Sequence, residues 1–359
     1  MQKVKKITFA EAVNEALHVS MKKDKNMLCY GLGVTDPKNV FSTTKNLEKS
    51  FGKERVFDIP TSENAITGVS IGAALNGIRS VTTHQRLDFF LLAMDQLVNS
   101  AAKWFYMFGG VKSVPITIRL IMGRGWGQGP THSQNLQSWF NHIPGLKVVM
   151  PSFADDAKGL LISSIFDPNP VVFLEHRWLH KTSAVTKIGN YKVKIGKAKV
   201  CKKGKDVTIV SMSYLTLEAL SAAKYLDDNF NIKVEVIDLR TIKPLDWKTL
   251  FASVKKTGRL IVLDTGFTTG SVAGEIIAKI SIEKFSYIKF APIRLAMPDI
   301  PEPTSPALTK NLYISSINIV ESVLKVLNKK VAFNKEKLEK DLNYPKYHDI
   351  PGKNFEEPF

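Results

Sequence analysis

The chain has 359 residues, 44% of them apolar and 23% charged, which at about 150 residues per domain predicts two globular domains of ordinary composition. That balance excludes a disordered chain, a collagen-like repeat and a disulfide scaffold. The formal charge of +17 rests on scattered lysines, with small knots at Lys3–Lys6, Lys202–Lys205 and Lys329–Lys330. None is interleaved with stacking aromatics, and no helix-turn-helix or zinc spacing accompanies them, so no nucleic-acid partner is expected. A solvated surface or a docking face for an acidic partner accounts for the charge. No apolar run reaches the ~18 residues of a membrane span, and MQKVKKITFAEAV enters a helix pattern without an apolar signal core. No membrane association is therefore expected. The two cysteines, Cys29 and Cys201, match no metal or redox spacing and fit a reducing, cytoplasmic setting.

Short apolar runs alternate with amphipathic stretches, the pattern of a parallel α/β protein. Thr8-Phe9-Ala10-Glu11 reads as a capping box opening a helix to about Lys23. Strands are predicted at Met27–Tyr30, Val56–Ile59, Ser80–Thr83, Val114–Ile121, Lys147–Met150 and Val171–Leu174. Between them the spacing predicts helices at Ser62–Leu75, capped by Ser62, at Phe89–Tyr106 and at Asp155–Ile165. This first unit spans residues 1–186, and a Lys- and Gly-rich linker covers 187–205. The second unit, 206–330, reads as strands at Val207–Met212, Lys233–Ile237 and Leu260–Leu263. Its helices fall near Leu215–Asp227, Leu245–Val254, Val272–Ile282 and Ile317–Leu327, with an extended stretch marked by Pro298, Pro301, Pro303 and Pro306. Residues 331–359 read as a charged extension packed on a surface or a partner.

Three places carry candidate chemistry. The stretch Gly123–Gly129 is glycine-rich, but Gln128 stands where a dinucleotide fingerprint needs its third glycine, and no G-x-x-x-x-G-K-[ST] loop occurs. It reads as a loop lining a substrate or cofactor. Glu63 follows a strand in the first turn of a helix, which suits a catalytic carboxylate and equally a simple complement to the helix dipole. His132, in Thr131-His132-Ser133-Gln134, suits proton transfer or an ordinary surface position. No H-E-x-x-H or G-x-S-x-G motif is present.

Several ordered segments resemble the β subunits of the thiamine-diphosphate 2-oxo acid dehydrogenase E1 components. They are Ile59-Pro60-Thr61-Ser62-Glu63, Met94-Asp95-Gln96-Leu97-Val98-Asn99-Ser100-Ala101-Ala102-Lys103, Thr131-His132-Ser133-Gln134 and Pro144-Gly145-Leu146-Lys147-Val148-Val149-Met150-Pro151. Asp155–Leu160, Asp238–Asp246 and Gly270–Ile276 continue the likeness, which covers about residues 5–328. The resemblance implies an α/β fold with a transketolase-like pyrimidine-binding domain and a transketolase C-terminal domain. It implies that Glu63 shares a proton with N1′ of the thiamine aminopyrimidine, so that the N4′ imino group can take the C2 proton. Phe89 would stack on that ring, Gln85 would lie beside the cofactor, and His132 near the reacting carbon for proton transfer or lipoyl acylation. Ile116, Ser164, Asp167 and Asn169 match a structural potassium site.

The family's magnesium–diphosphate motif, G-D-G, lies on the α subunit, and this chain has none. The resemblance therefore implies an α2β2 heterotetramer sharing thiamine diphosphate and Mg2+, with the E2 lipoyl acyltransferase as the next partner. A split transketolase-like or acyloin-forming subunit and a non-catalytic scaffold remain the alternatives. Leu32 and Thr83 stand where the family commonly has acids, and Arg86 and Arg124 introduce cations in divergent loops, suiting an anionic or polar substrate.

Overall fold

Thr8 and Glu11 open the first helix as their spacing predicts. In this computed structural model, which describes residues 3–310, 312–329 and 335–341, the Glu11 amide donates to the Thr8 hydroxyl at 3.2 Å. The Thr8 amide donates to the Glu11 carboxylate at 2.8 Å. The box satisfies amides that the helix leaves open, an effect of about 1 kcal/mol. It joins strand β1 (Val4–Thr8) to helix α1 (Phe9–Lys23). The strand was masked in the sequence by its lysines, which lie on exposed positions.

The first unit continues through β2 (Leu28–Gly31), α2 (Leu47–Phe51), β3 (Val56–Asp58), α3 (Glu63–Leu75), β4 (Ser80–His84), α4 (Leu87–Phe90) and α5 (Ala102–Met107). It then runs through β5 (Ile116–Met122), α6 (Gln137–His142), β6 (Lys147–Val149), α7 (Ala154–Ile165), β7 (Val171–His176) and β8 (Ser183–Lys187). The predicted helix over 89–106 is not uniform. Between α4 and α5 it passes through a 3₁₀ turn, Leu91–Ala93, and a π turn, Gln96–Ala101. π turns such as this one gather at functional sites, and the segment packs against α3.

The second unit holds β9 (Lys199–Lys202), β10 (Val207–Ser211), α8 (Leu215–Phe230), β11 (Val234–Asp238), β12 (Thr241–Lys243) and α9 (Trp247–Thr257). It ends with β13 (Leu260–Phe267), α10 (Val272–Glu283), β14 (Ile293–Met297), α11 (Pro306–Thr309), α12 (Ser316–Val326) and α13 (Lys335–Asp341).

Three sheets result. The largest has seven strands in the order β12-β6-β7-β5-β4-β2-β3, parallel except for β12. The second has the order β14-β13-β10-β11-β9, with only β9 antiparallel, and β1 pairs with β8 in a two-stranded ribbon. Two boundaries differ from the sequence reading. The expected linker 187–205 contains β9, an edge strand of the second sheet. Strand β12 crosses back to pair with β6, so the second unit completes the first unit's sheet. Of the expected extension 331–359, residues 335–341 form α13, with Leu338 buried beside α12; the rest lies outside the described residues.

Strands β5 and β7 are buried at every position, which is why they read as largely apolar runs. Two charges interrupt them. Arg119 of β5 donates to both carboxylate oxygens of Glu175 of β7, at 2.6 and 3.0 Å, and both side chains are fully buried. Arg119 also donates to Thr83 Oγ1 at 3.3 Å, and His180 Nε2 lies 3.4 Å from Glu175. The Leu32 amide donates to the Thr83 carbonyl, so Leu32 and Thr83 are neighbours beside this pair. Among the described residues no helix is long and apolar enough to cross a membrane.

Candidate active site

Parallel sheets collect ligands at the C-terminal ends of their strands. Along β7-β5-β4-β2-β3 that edge receives Arg177 after β7, the glycine loop after β5, Gln85 to Phe89 after β4, and Glu63 after β3. Glu63, Gln85, Phe89 and His132 thus all follow strands at one edge of the sheet. Glu63 is the first residue of α3 and is only 3% exposed. Ser62 occupies the capping position but makes no cap hydrogen bond; its backbone, at φ −157° and ψ 73°, departs from the usual capping geometry.

Phe89 and His132 meet directly. Their rings are edge to face, with centroids 5.1 Å apart and planes at 89°. Phe89 is 38% exposed, while its neighbours Leu87 and Phe90 are fully buried. The pair is held from outside by Asp88, whose Oδ1 accepts from the Gln134 amide at 3.3 Å and from its side chain at 2.9 Å. This clamp ties the end of the glycine loop to α4 and so fixes His132 against Phe89. Thr131 Oγ1 lies 3.1 Å from His132 Nδ1. Gln85 is half-buried, and its side-chain amide fills the space that a Cβ on Gly33 would occupy.

The glycine loop owes its path to two close approaches. A Cβ on Gly123, at φ +114°, would lie 2.5 Å from His176 Nε2, and one on Gly129, at φ +71°, 2.5 Å from Thr304 Cγ2. Thr304 belongs to the proline-marked stretch of the second unit, so that segment roofs the loop. Arg124 within the loop lies over the rings of Trp178 and Tyr313, at 4.1 and 3.8 Å from their centroids.

Sequence reasoning missed several groups at this edge. His84 is buried, and its burial pushes its pKa down to about 4. His176 accepts from the Trp178 amide through Nδ1 at 3.2 Å, and burial, with Arg124 nearby, holds it well below its ordinary value. Both rings are therefore neutral near pH 7. Glu302 is 1% exposed, and burial pushes its carboxyl up to about 7, with Asp88 adding to the effect. A lone acid between two prolines gives no periodic signal in the sequence; only the fold brings it to the loop.

The sign of the Glu302 effect on stability follows from linkage. The folded chain keeps a proton that an unfolded chain releases above about 4.5, so stability falls as pH rises from there to about 7. Glu302→Gln is expected to remove this slope, raising Tm at pH 8 more than at pH 5 in thermal unfolding. An equal shift at both pH values would contradict the assignment.

The four residues matched to potassium lie where α7 ends and β5 begins, away from the edge that holds Glu63, Phe89 and His132. The Asp167 carboxylate is paired with Lys147 at 2.6 Å, its carbonyl accepts from Arg79 at 3.2 Å, and the Ser164 carbonyl accepts from the Asp167 amide. Asn169 donates its amide to Asp167 at 2.9 Å. These groups make hydrogen bonds or an ion pair within the chain. Among the described residues no group of three or more His, Cys, Asp or Glu side chains forms a metal site.

The fold is that of a two-domain protein of the transketolase type. Residues 5–181 match the transketolase pyrimidine-binding domain and residues 196–319 the transketolase C-terminal domain. A solved structure described as a split-gene transketolase, inactive β4 tetramer, shares the fold with a TM-score of 0.73 at 21% identity, covering 90% of this chain and 99% of that one. More specific relatives are found among pyruvate dehydrogenase E1 component β subunits. That of Rickettsia bellii is 40% identical over 321 residues, 89% of this chain and 98% of the relative. Those of Rhizobium meliloti and Pisum sativum are 39% and 40% identical, over 90% and 83% of this chain and 70% and 84% of theirs. The chain belongs to the family of the pyruvate dehydrogenase E1 β subunits.

Proposed function

We propose that this chain is the β subunit of a thiamine-diphosphate-dependent 2-oxo acid dehydrogenase E1 and supplies half of each active site. The observation carrying this reading is the single sheet edge on which the buried Glu63 stands with the Phe89–His132 pair. The residues fit an aminopyrimidine: a partly exposed aromatic ring, a buried carboxylate at a helix start, and a side-chain amide following β4. When bound, the cofactor supplies the nucleophilic carbon and electron sink for decarboxylation.

The chain's own groups then have distinct tasks. Glu63 holds a proton against the pyrimidine nitrogen, and its burial strengthens that interaction by excluding water. Phe89 fixes the ring plane, and Gln85 lines the strand end beside it. His132 is placed to move a proton at the substrate oxygen or at the incoming acyl acceptor. Asp88 and Gln134 keep His132 in register through the clamp.

With no G-D-G motif in the chain, magnesium and the diphosphate fall to an α subunit in an α2β2 assembly. The exposed apolar residues Phe105, Tyr106, Met107, Phe108 and Val111, at and beyond the end of α5, suit such an interface. Acyl transfer would pass to the lipoyl group of E2. Co-expression with the α subunit and assay of CO2 release from 2-oxo acids tests the reading, with lipoamide, aldehydes or a dye as acceptor. Cofactor-dependent release coupled to lipoamide is expected. Release coupled only to aldehydes would replace it with the acyloin-forming alternative, and no release would contradict it.

A further inference from the structure

The catalytic edge carries a buried cation that the proposed mechanism does not use. Arg86 lies between the cofactor-side Gln85 and the clamp residue Asp88, and is only 8% exposed. Its Nη1 is buried with no hydrogen-bond partner, and among the described residues no ion pair or ring contact engages its guanidinium. Its neighbours are provided for differently. Arg119 has Glu175, Arg124 lies over Trp178 and Tyr313, and Arg177 sits 3.6 Å from the Phe41 ring centre and contacts His180 Nδ1 at 3.2 Å.

The charges facing Arg86 do not cancel it. Arg177 and His176 both feel it as a repelling charge, and Asp88 alone favours its charged form. Asp88 forms no ion pair with it: its Oδ1 accepts from Gln134, and its Oδ2 is buried without a hydrogen-bond partner. A buried, unpaired guanidinium is costly, and a bidentate anion is the partner its planar fork fits.

Resting on the assignment of the decarboxylation site to this edge, we infer that Arg86 binds a second, distal carboxylate of the substrate, so that the enzyme prefers dicarboxylic 2-oxo acids. The carboxylate that departs as CO2 is the poorer candidate. A guanidinium fixed on it would stabilise the substrate more than the transition state, in which that charge is dispersing. A carboxylate remote from the reacting carbon keeps its charge throughout and can be held without slowing the reaction.

The test compares 2-oxoglutarate with 2-oxohexanoate, in which an ethyl group replaces the distal carboxylate, using the complex of this chain with its α subunit. The wild type is expected to show kcat/KM at least about 10-fold higher for 2-oxoglutarate. Arg86→Gln should lower that value by about 30-fold while changing the 2-oxohexanoate rate little, and Arg86→Lys should fall between. The retained rate on 2-oxohexanoate, which lacks only the distal carboxylate, confirms that the variant folds and assembles. A readout apart from turnover is thermal stabilisation by glutarate against pentanoate: glutarate should raise Tm of the wild type and not of Arg86→Gln.

Preference for 2-oxohexanoate or pyruvate in the wild type would overturn the inference and leave the E1 reading standing. So would an equal loss on all substrates in Arg86→Gln, or loss of the α subunit from that variant, which would make Arg86 a structural or partner contact. Absence of decarboxylation of any 2-oxo acid by the wild-type complex would overturn the E1 reading itself, and this inference with it.

Discussion

Glu63→Gln is expected to lower turnover by about 10²- to 10⁴-fold, the range for losing a positioned acid–base group, while the chain still folds and assembles. Glutamine keeps the size and polarity of the side chain at the start of α3 but cannot share a proton with the aminopyrimidine. The Glu63 carboxylate is buried at the strand end, so no water replaces its function cheaply. Steady-state rates on the complex, with size-exclusion elution and unfolding midpoint as controls, check the result. Unchanged kcat would remove Glu63 from the mechanism and leave it as a complement to the helix dipole. A matching fall in stability would mean that the loss was structural.

The largest expected effect on stability lies in the Arg119–Glu175 pair beneath the site. Glu175→Gln leaves the fully buried Arg119 without a compensating charge, at a cost of about 3–5 kcal/mol. Replacing both with apolar residues of similar volume, as in Arg119→Met with Glu175→Leu, should recover most of that loss, because it removes the buried charge as well as its partner. Urea unfolding of wild type, single and double variants measures both steps. Arg119 and the His180 contact hold Glu175 below the ordinary carboxylate range against the opposing effect of burial. Its contribution is therefore complete above about pH 4.5 and is lost as pH falls through the native value. A double variant as unstable as Glu175→Gln would show that the pair is held for packing geometry rather than charge.

How much of this was legible varies with the kind of signal. Strands buried on both faces, such as β5 and β7, stand out as apolar runs, and the Thr8–Glu11 box marks its helix correctly. Strands β9 and β14 lie at sheet edges with mostly half-exposed residues, so they lack such runs. β12 has three residues and exists because the second unit returns to the first sheet. Tertiary pairing creates these strands, and local sequence does not announce them.

The site divides the same way. Glu63, Phe89 and His132 sit in segments with recognisable neighbours, and the chain's topology brings them together. Arg119 falls inside the predicted strand Val114–Ile121, but its pairing with Glu175 depends on the register between β5 and β7. Glu302 reaches the glycine loop only because the proline-marked stretch folds over Gly129. The irregular turns between α4 and α5 were likewise hidden, since their residues have ordinary helical character.

The central claim is that this chain holds half of a thiamine-diphosphate site. Native mass spectrometry of the complex, purified from its source with magnesium and thiamine diphosphate present, tests it most directly. The account predicts an equimolar second subunit and bound cofactor, both retained together. A cofactor-free oligomer of this chain alone would contradict it.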